Sequence, residues 1–211
     1  MKALLIEPHY FPNIQYFSKV FNYNEIIIDD LSLFEKQSYR NRMKILGANK
    51  VLSLIVPVKK DKTKMKLKDV QIDYGINWQK DHWNSIISAY NKSPFFLFYM
   101  NDFEKYFNRK KNFLIDLNIE IILNLIEILE LDTKIKLLSE TDVSRGEFDD
   151  LRNSIHPKKK LNKSDNSLKT IEYQQVFSER FDFIPNLSVV DLLSNKGPEA
   201  VQILMESVVV K

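Results

Sequence analysis

Cysteine is absent from this chain of 211 residues. That excludes a thiol nucleophile, a thiolate metal site and a disulfide framework together, and it suits a reducing compartment. Glycine occurs only four times, and neither a phosphate-cradling Gly-rich loop nor a Gly-x-Ser-x-Gly nucleophile elbow can be read in the chain. Histidine occurs three times. His9, His82 and His156 are too far apart for zinc-type spacing, so no metal is expected. A strong excess of one charge sign is lacking too. The 31 basic and 28 acidic side chains leave +3, far from the balance of a dedicated nucleic-acid binder, so no nucleic-acid partner is expected. The longest apolar stretch, residues 113–131, is interrupted by Asp116, Glu120, Glu127 and Glu130, and charges that frequent are costly in hydrocarbon. Between Lys2 and Glu7 stand just four apolar residues, fewer than a secretory signal needs. These absences predict a cytoplasmic protein without a membrane span.

What is present reads as one domain, large enough to bury a core without staples. Ala3-Leu4-Leu5-Ile6 is an apolar run of the kind that forms a buried strand. After a polar turn, Asn13 is placed to cap a helix carrying Ile14, Phe17, Val20 and Phe21 on one face. Residues 25–29 form a second β-branched run that ends in Asp29-Asp30. Strand, helix, strand is the pattern of a parallel βαβ unit. Residues 52–58 predict a third strand and 70–74 a fourth, with a basic turn or hairpin at 59–68 between them. After Asn77 the period becomes helical. Trp83, Ile86, Ile87 and Tyr90 share a face, and Ser93-Pro94 breaks that helix. Phe103, Tyr106 and Phe107 mark the next, and 113–131 is the longest. Residues 135–138 read as a short strand, and 173–180, 189–193 and 198–206 as helices. The polar stretch 140–169 is of a length that is usually functional or mobile. The fold class is therefore α/β: a parallel-type βαβ sheet region over about 1–75 and a largely helical part over 76–211. The oligomeric state is not legible.

The histidines fall in short polar-aromatic motifs. Pro8-His9-Tyr10-Phe11-Pro12 follows the first strand, and ligands of open α/β sheets bind beyond the carboxyl ends of strands. His9 there suits acid–base chemistry or the holding of a phosphate; a rigid turn with His9 capping a backbone group is the alternative. Gln37-Ser38-Tyr39-Arg40-Asn41-Arg42 packs four hydrogen-bonding side chains and two guanidinium groups into six residues. Such forks suit carboxylates and phosphates, and a solvated helix turn is the alternative. His82 stands between Trp78 and Trp83, the only two tryptophans, either as part of an aromatic ligand pocket or as a satisfied residue at a helix start with Trp83 in the core. Arg152, His156 and the Lys158-Lys159-Lys160 run can close over an anionic substrate or form a basic loop. Asn186 and Ser188, after Pro185, are candidates to face the pocket or to hold structure.

Taken together these segments resemble the WbqC-like family nearly end to end. The residues that carry the resemblance are Pro8-His9-Tyr10-Phe11-Pro12 with Gln15-Tyr16-Phe17, and Lys36-Gln37-Ser38-Tyr39-Arg40-Asn41-Arg42. Asn77-Trp78 with His82-Trp83, and Ser93-Pro94-Phe95-Phe96, continue it. Gln175-Val176-Phe177, Pro185-Asn186-Leu187-Ser188 and Asp191-Leu192-Leu193 complete it. Glu7 departs from it, since glutamine is expected there, and a carboxylate beside His9 is expected to raise that ring's basicity. The resemblance implies a cytosolic step in bacterial surface polysaccharide biosynthesis of the O-antigen type. It implies acyl or aminoacyl transfer to the amine of a nucleotide-linked amino sugar, with no cofactor beyond an acyl thioester donor on a carrier protein or coenzyme A. On that reading His9 or His82 is the base. Arg40, Arg42 and Lys59 hold the diphosphate. Tyr10, Gln37, Tyr39, Asn41, Trp83, Arg152, His156 and Asn186 complete the substrate site. Nucleotidyl transfer is an alternative, with Asn13, Ile14 and Gln15 standing where a second histidine pair is wanted. A non-catalytic protein that binds sugar nucleotides or organises assembly is another.

Overall fold

Two short, mostly apolar runs make the centre of the fold. The computed structural model describes residues 2–60, 64–141, 148–158 and 168–208. Ala3–Ile6 (β1) leads through Ile14–Val20 (α1) to Glu25–Ile28 (β2). Asn13 caps α1 as its position predicts, its Oδ1 accepting from Tyr16 N at 3.0 Å. β1 and β2 pair in parallel, Leu4 opposite Ile26 and Ile6 opposite Ile28, and these four residues have no exposed surface. Their unbroken apolar character is that of strands covered on both faces.

The chain then leaves the sheet. Arg42–Leu46 (β3) and Val51–Ile55 (β4) form an antiparallel hairpin outside it. The third strand is therefore present, shorter than the apolar run, and is not part of the parallel sheet. Residues 70–74 form only isolated bridges, Val58 with Ile72 and Gln71 with Phe113, instead of a strand. Trp78–Tyr90 (α2), Phe96–Asn108 (α3) and Leu114–Ile128 (α4) follow. Ser93 ends α2 by donating from its Oγ to Tyr90 O at 2.7 Å.

The chain returns to the sheet as Lys134–Leu137 (β5) and Phe148–Asp150 (β6). β5 pairs with β2 and β6 with β1, both parallel, giving the order β5-β2-β1-β6. β6 lies in the stretch read as irregular. Three residues with two aspartates give no period to detect, and a short polar strand is what a sheet edge tolerates. Val189–Lys196 (α5) and Glu199–Glu206 (α6) close the described chain, hinged at Gly197, whose φ of +55° suits glycine. Residues 173–180 are not a helix. The Gln175 side chain accepts from Ile184 N and donates to Ile184 O, both at 3.0 Å, folding that segment back on itself. One hydrophobic core runs from β1 to α6.

The topology positions a site. From β1 the chain steps outward through β2 to β5, then returns to the opposite flank of β1 as β6. A reversal of that kind opens a crevice at the carboxyl ends of the strands it separates.

Candidate active site

Residues that follow three of the sheet strands gather at that edge. Glu7 and His9 follow β1, Asp29 and Asp30 follow β2, and Arg152, Asn153 and His156 follow β6. Glu7 bridges the crevice: its Oε1 accepts from Asn153 N at 2.7 Å and from Arg40 Nη2 at 2.8 Å. Arg40 also donates to Asn153 Oδ1 at 3.1 Å and to Glu35 Oε2 at 3.3 Å. Both members of the Arg40–Glu7 pair are almost wholly buried. Burial raises the Glu7 carboxyl pKa, and the Arg40 charge only partly offsets it. Asn118, fully buried on α4, donates to Arg40 O at 2.7 Å and Pro8 O at 3.4 Å. That one amide locks the 8–12 and 37–42 motifs together.

His9 lies inside this network. Its ring is 4.9 Å from that of Tyr16 and 5.5 Å from that of Tyr39, and its Nδ1 is buried without a hydrogen-bond partner among the described residues. Burial lowers its pKa to about 3, helped by the charges of Arg40 and His156, so the imidazole is neutral at pH 7. The expected rise from Glu7 is not found, because that carboxylate is turned to Arg40 and Asn153. His156 comes close as well: its Nε2 is 3.6 Å from Glu35 Oε1, and Lys158 N donates to its Nδ1 at 3.1 Å. Burial lowers its pKa, against a rise from Glu35.

The guanidinium groups divide by function. Arg40 is neutralised by Glu7 and Glu35, with only its Nε left without a partner among the described residues. Arg152 is saturated by Asp150, a bidentate partner at 3.0 and 2.7 Å, and by buried Asp29 at 3.2 Å; these bonds raise its pKa, Asp150 first. Both arginines build the site and are not open cations waiting for phosphate. Arg42 makes no ion pair among the described residues, and its Nε is buried without a partner. Tyr39 connects it to His9. Burial raises the Tyr39 pKa and the Arg42 charge lowers it in part, while Lys44 Nζ lies 5.9 Å from the same ring.

The other expected residues separate from this cluster. Tyr10 points away from His9, its hydroxyl 3.0 Å from His82 Nδ1. The His82 ring also bonds the Ile55 backbone in a way that favours the charged form, so that partner is a carbonyl. Nδ1 therefore accepts from Tyr10. With both nitrogens engaged and Trp78 at 5.1 Å, His82 is a satisfied core residue, its pKa lowered by burial to about 4. Trp83 stacks on Phe107 at 5.5 Å within the core. Asn41 Nδ2 donates to Val56 O at 2.9 Å, tying the loop to the end of the hairpin. Gln37 is exposed, with a φ of +61°. Lys59 donates to Gln71 Oε1 at 2.9 Å and lines a separate cleft with Tyr74 and Phe113. Asn186 accepts from Gln15 N at 3.0 Å and donates to Gln15 Oε1 at 3.1 Å, a clamp on the start of α1. Lys159 and Lys160 lie outside the described residues. Sequence reading passed over Asp29, Glu35, Asn118 and Asn153; for Asp29 the signal was there, at the end of a strand like His9.

Residues 7–163 match the family model of the WbqC-like protein family. The chain belongs to that family. No curated protein and no solved structure matches it. The match takes in the β1 and β6 ends of the crevice, with Glu7, His9, Arg40, Asn153 and His156, and leaves α5 and α6 outside. Among the described residues no helix is long and apolar enough to cross a membrane, and no cluster of acidic and histidine side chains is arranged to hold a metal ion.

Proposed function

We propose that this WbqC-like protein is a cytosolic enzyme of surface polysaccharide biosynthesis that acylates or aminoacylates the amine of a nucleotide-linked amino sugar. The observation that carries the reading is His9, a neutral imidazole with an unpartnered ring nitrogen at the carboxyl end of β1. In the reaction the sugar amine attacks the thioester carbonyl carbon, His9 accepts the amine proton, the C–S bond breaks, and His9 passes that proton to the departing thiolate, which leaves as the thiol. The low basicity of His9 has an electrostatic cause that a ligand's charge can oppose. Burial and two positive neighbours set it, and an anionic ligand beside Arg42 adds charge of the opposite sign, raising the pKa towards neutrality. Arg42, the guanidinium left without a carboxylate, is the diphosphate ligand.

Nucleotidyl transfer has one feature in its favour: the reversal of strand order beside β1 is shared with dinucleotide-binding sheets. It lacks a helix-start phosphate seat. The first backbone N–H groups of α1 are already engaged: Ile14 by Leu187 O, Gln15 by Asn186 Oδ1 and Tyr16 by Asn13 Oδ1, so that helix start has no free donors for an anion.

The test incubates purified protein with UDP- or dTDP-linked amino sugars and acyl or aminoacyl thioesters, with N-acylated product read by mass spectrometry. His9→Asn is expected to lower turnover by about 10²–10⁴ with sugar nucleotide binding retained, and Arg42→Met to weaken that binding. Pyrophosphate release from ATP or CTP would favour nucleotidyl transfer. Sugar nucleotide binding with no product from any donor would make the protein a binding or assembly factor.

A further inference from the structure

A sizeable cavity lies away from His9. About 700 Å³ opens between the α2–α3 connection, the 174–180 segment and the end of α5. That is the size of a site for a small molecule or cofactor. Lys92, Arg180 and Lys196 line it against one carboxylate, Glu179. Lys196 is held by Glu199 at 2.8 Å, and Arg180 makes a long 3.4 Å bond to Ala48 O. Lys92 forms no ion pair among the described residues. Apolar surface faces these cations: Phe95 and Phe177 line the cleft. Phe95 is set by Gly197, where an added Cβ would stand 2.5 Å from its ring. Beside Phe95, the first turn of α3 exposes Leu97 and Phe98 at 66% and 77%, the two most exposed large hydrophobics described. Large apolar side chains left in water next to a cleft mark a binding surface.

The cleft is joined to the crevice by one rigid element. α5 starts at the His9 motif, where Ser188 Oγ donates to Phe11 O and Val189 N to Pro12 O, both at 2.9 Å. It ends at the cleft with Asn195 and Lys196. Eight residues at about 1.5 Å each place the two about 12 Å apart along the helix. A ligand seated in the cleft must therefore be elongated to bring a reactive group to His9, with an anionic head for Lys92 and Arg180 and an apolar body for Phe95 and Phe177.

We propose that this cleft is the acyl-donor site, and that it takes a phosphopantetheine thioester, the chemistry shared by coenzyme A and by acylated carrier proteins. The assignment rests on the acyl-transfer reading of the His9 crevice. The probes are coenzyme A and a holo acyl carrier protein with its apo form, titrated by calorimetry into the full chain. Wild type is expected to bind at least one phosphopantetheine probe. Lys92→Glu combined with Arg180→Glu is expected to weaken that binding about tenfold or more. Both positions are exposed, so folding is expected to be kept and is checked by circular dichroism. His9→Asn is expected to bind the donor as wild type does. Binding of coenzyme A identifies the free cofactor as source; binding of holo but not apo carrier identifies the carrier. No binding of either probe, or equal binding by the double variant, overturns the proposal. Donor binding at this cleft without N-acylated product would overturn the reaction and leave the site standing; product formation indifferent to the double variant would overturn the site alone.

Discussion

Acid is expected to destabilise this protein through its buried imidazoles, progressively from pH 6.5 down to about 3. His82 falls from an ordinary 6.5 to about 4 and His9 to about 3, burial being the main cause for each. Below pH 6.5 the unfolded chain gains a proton at each ring that the folded chain refuses. The stabilisation is therefore complete above 6.5 and is lost as pH falls towards the folded values. At about 1.4 kcal/mol per pH unit and ring, the full windows amount to about 3 kcal/mol for His82 and about 5 kcal/mol for His9. Ordinary domains are stable by roughly 5–15 kcal/mol, so the two rings suffice to reach the transition. Glu7 and Asp191 act with the opposite sign. Burial raises both carboxyl pKa values, so their contribution is full below the ordinary 4.5 and 3.8 and is lost as pH rises through the folded values. A difference between variants removes that background. In His82→Asn the amide oxygen stands where Nδ1 accepts from Tyr10, and the titrating group is gone. Urea midpoints followed by circular dichroism at about pH 7.5, 6 and 5 should show the wild type losing stability more steeply than the variant below pH 6, by about 1.4 kcal/mol per pH unit. Identical slopes, or a wild type whose stability is flat from 7.5 to 5, would refute the burial argument.

Two further perturbations test the packing of the site. Arg40→Met leaves Glu7 buried with no cation and is expected to cost about 3–5 kcal/mol in urea unfolding, while adding Glu7→Gln should recover part of it; full additivity of the two would show that the side chains are not coupled. Gly197→Ala puts a side chain at a φ of +55° and a Cβ 2.5 Å from Phe95, with an expected loss of about 1–3 kcal/mol. Phe95→Leu in the same chain should relieve the contact and leave the backbone part, which thermal melts of the single and double variants will separate.

Residue order alone determined the elements whose signal is local. The runs of β1 and β2 are apolar enough to demand cover on both faces, and Asn13 and Ser93-Pro94 punctuate helices by their own backbone chemistry. The period of residues 113–131 requires a helix, found as Leu114–Ile128. The rule that ligands bind past strand ends also pointed to His9, which stands just beyond β1. Tertiary structure decided what depends on partners far along the chain. β6 is too short and polar to carry a pattern, and exists because β1 offers it an edge. Residues 173–180 have helical composition, yet Gln175 and buried Tyr173, bonded to Asp191 at 2.6 Å, hold them in another shape. The three histidines look alike in sequence; only packing sends His82 to Tyr10 and Ile55 and leaves His9 with an idle nitrogen. Arg40, Arg42 and Arg152 look equally open to an anion until Glu7, Glu35, Asp29 and Asp150 neutralise two of them. Burial and charge pairing act through space between residues as distant as Asp29 and Arg152, 123 positions apart, and no local window of sequence contains both partners.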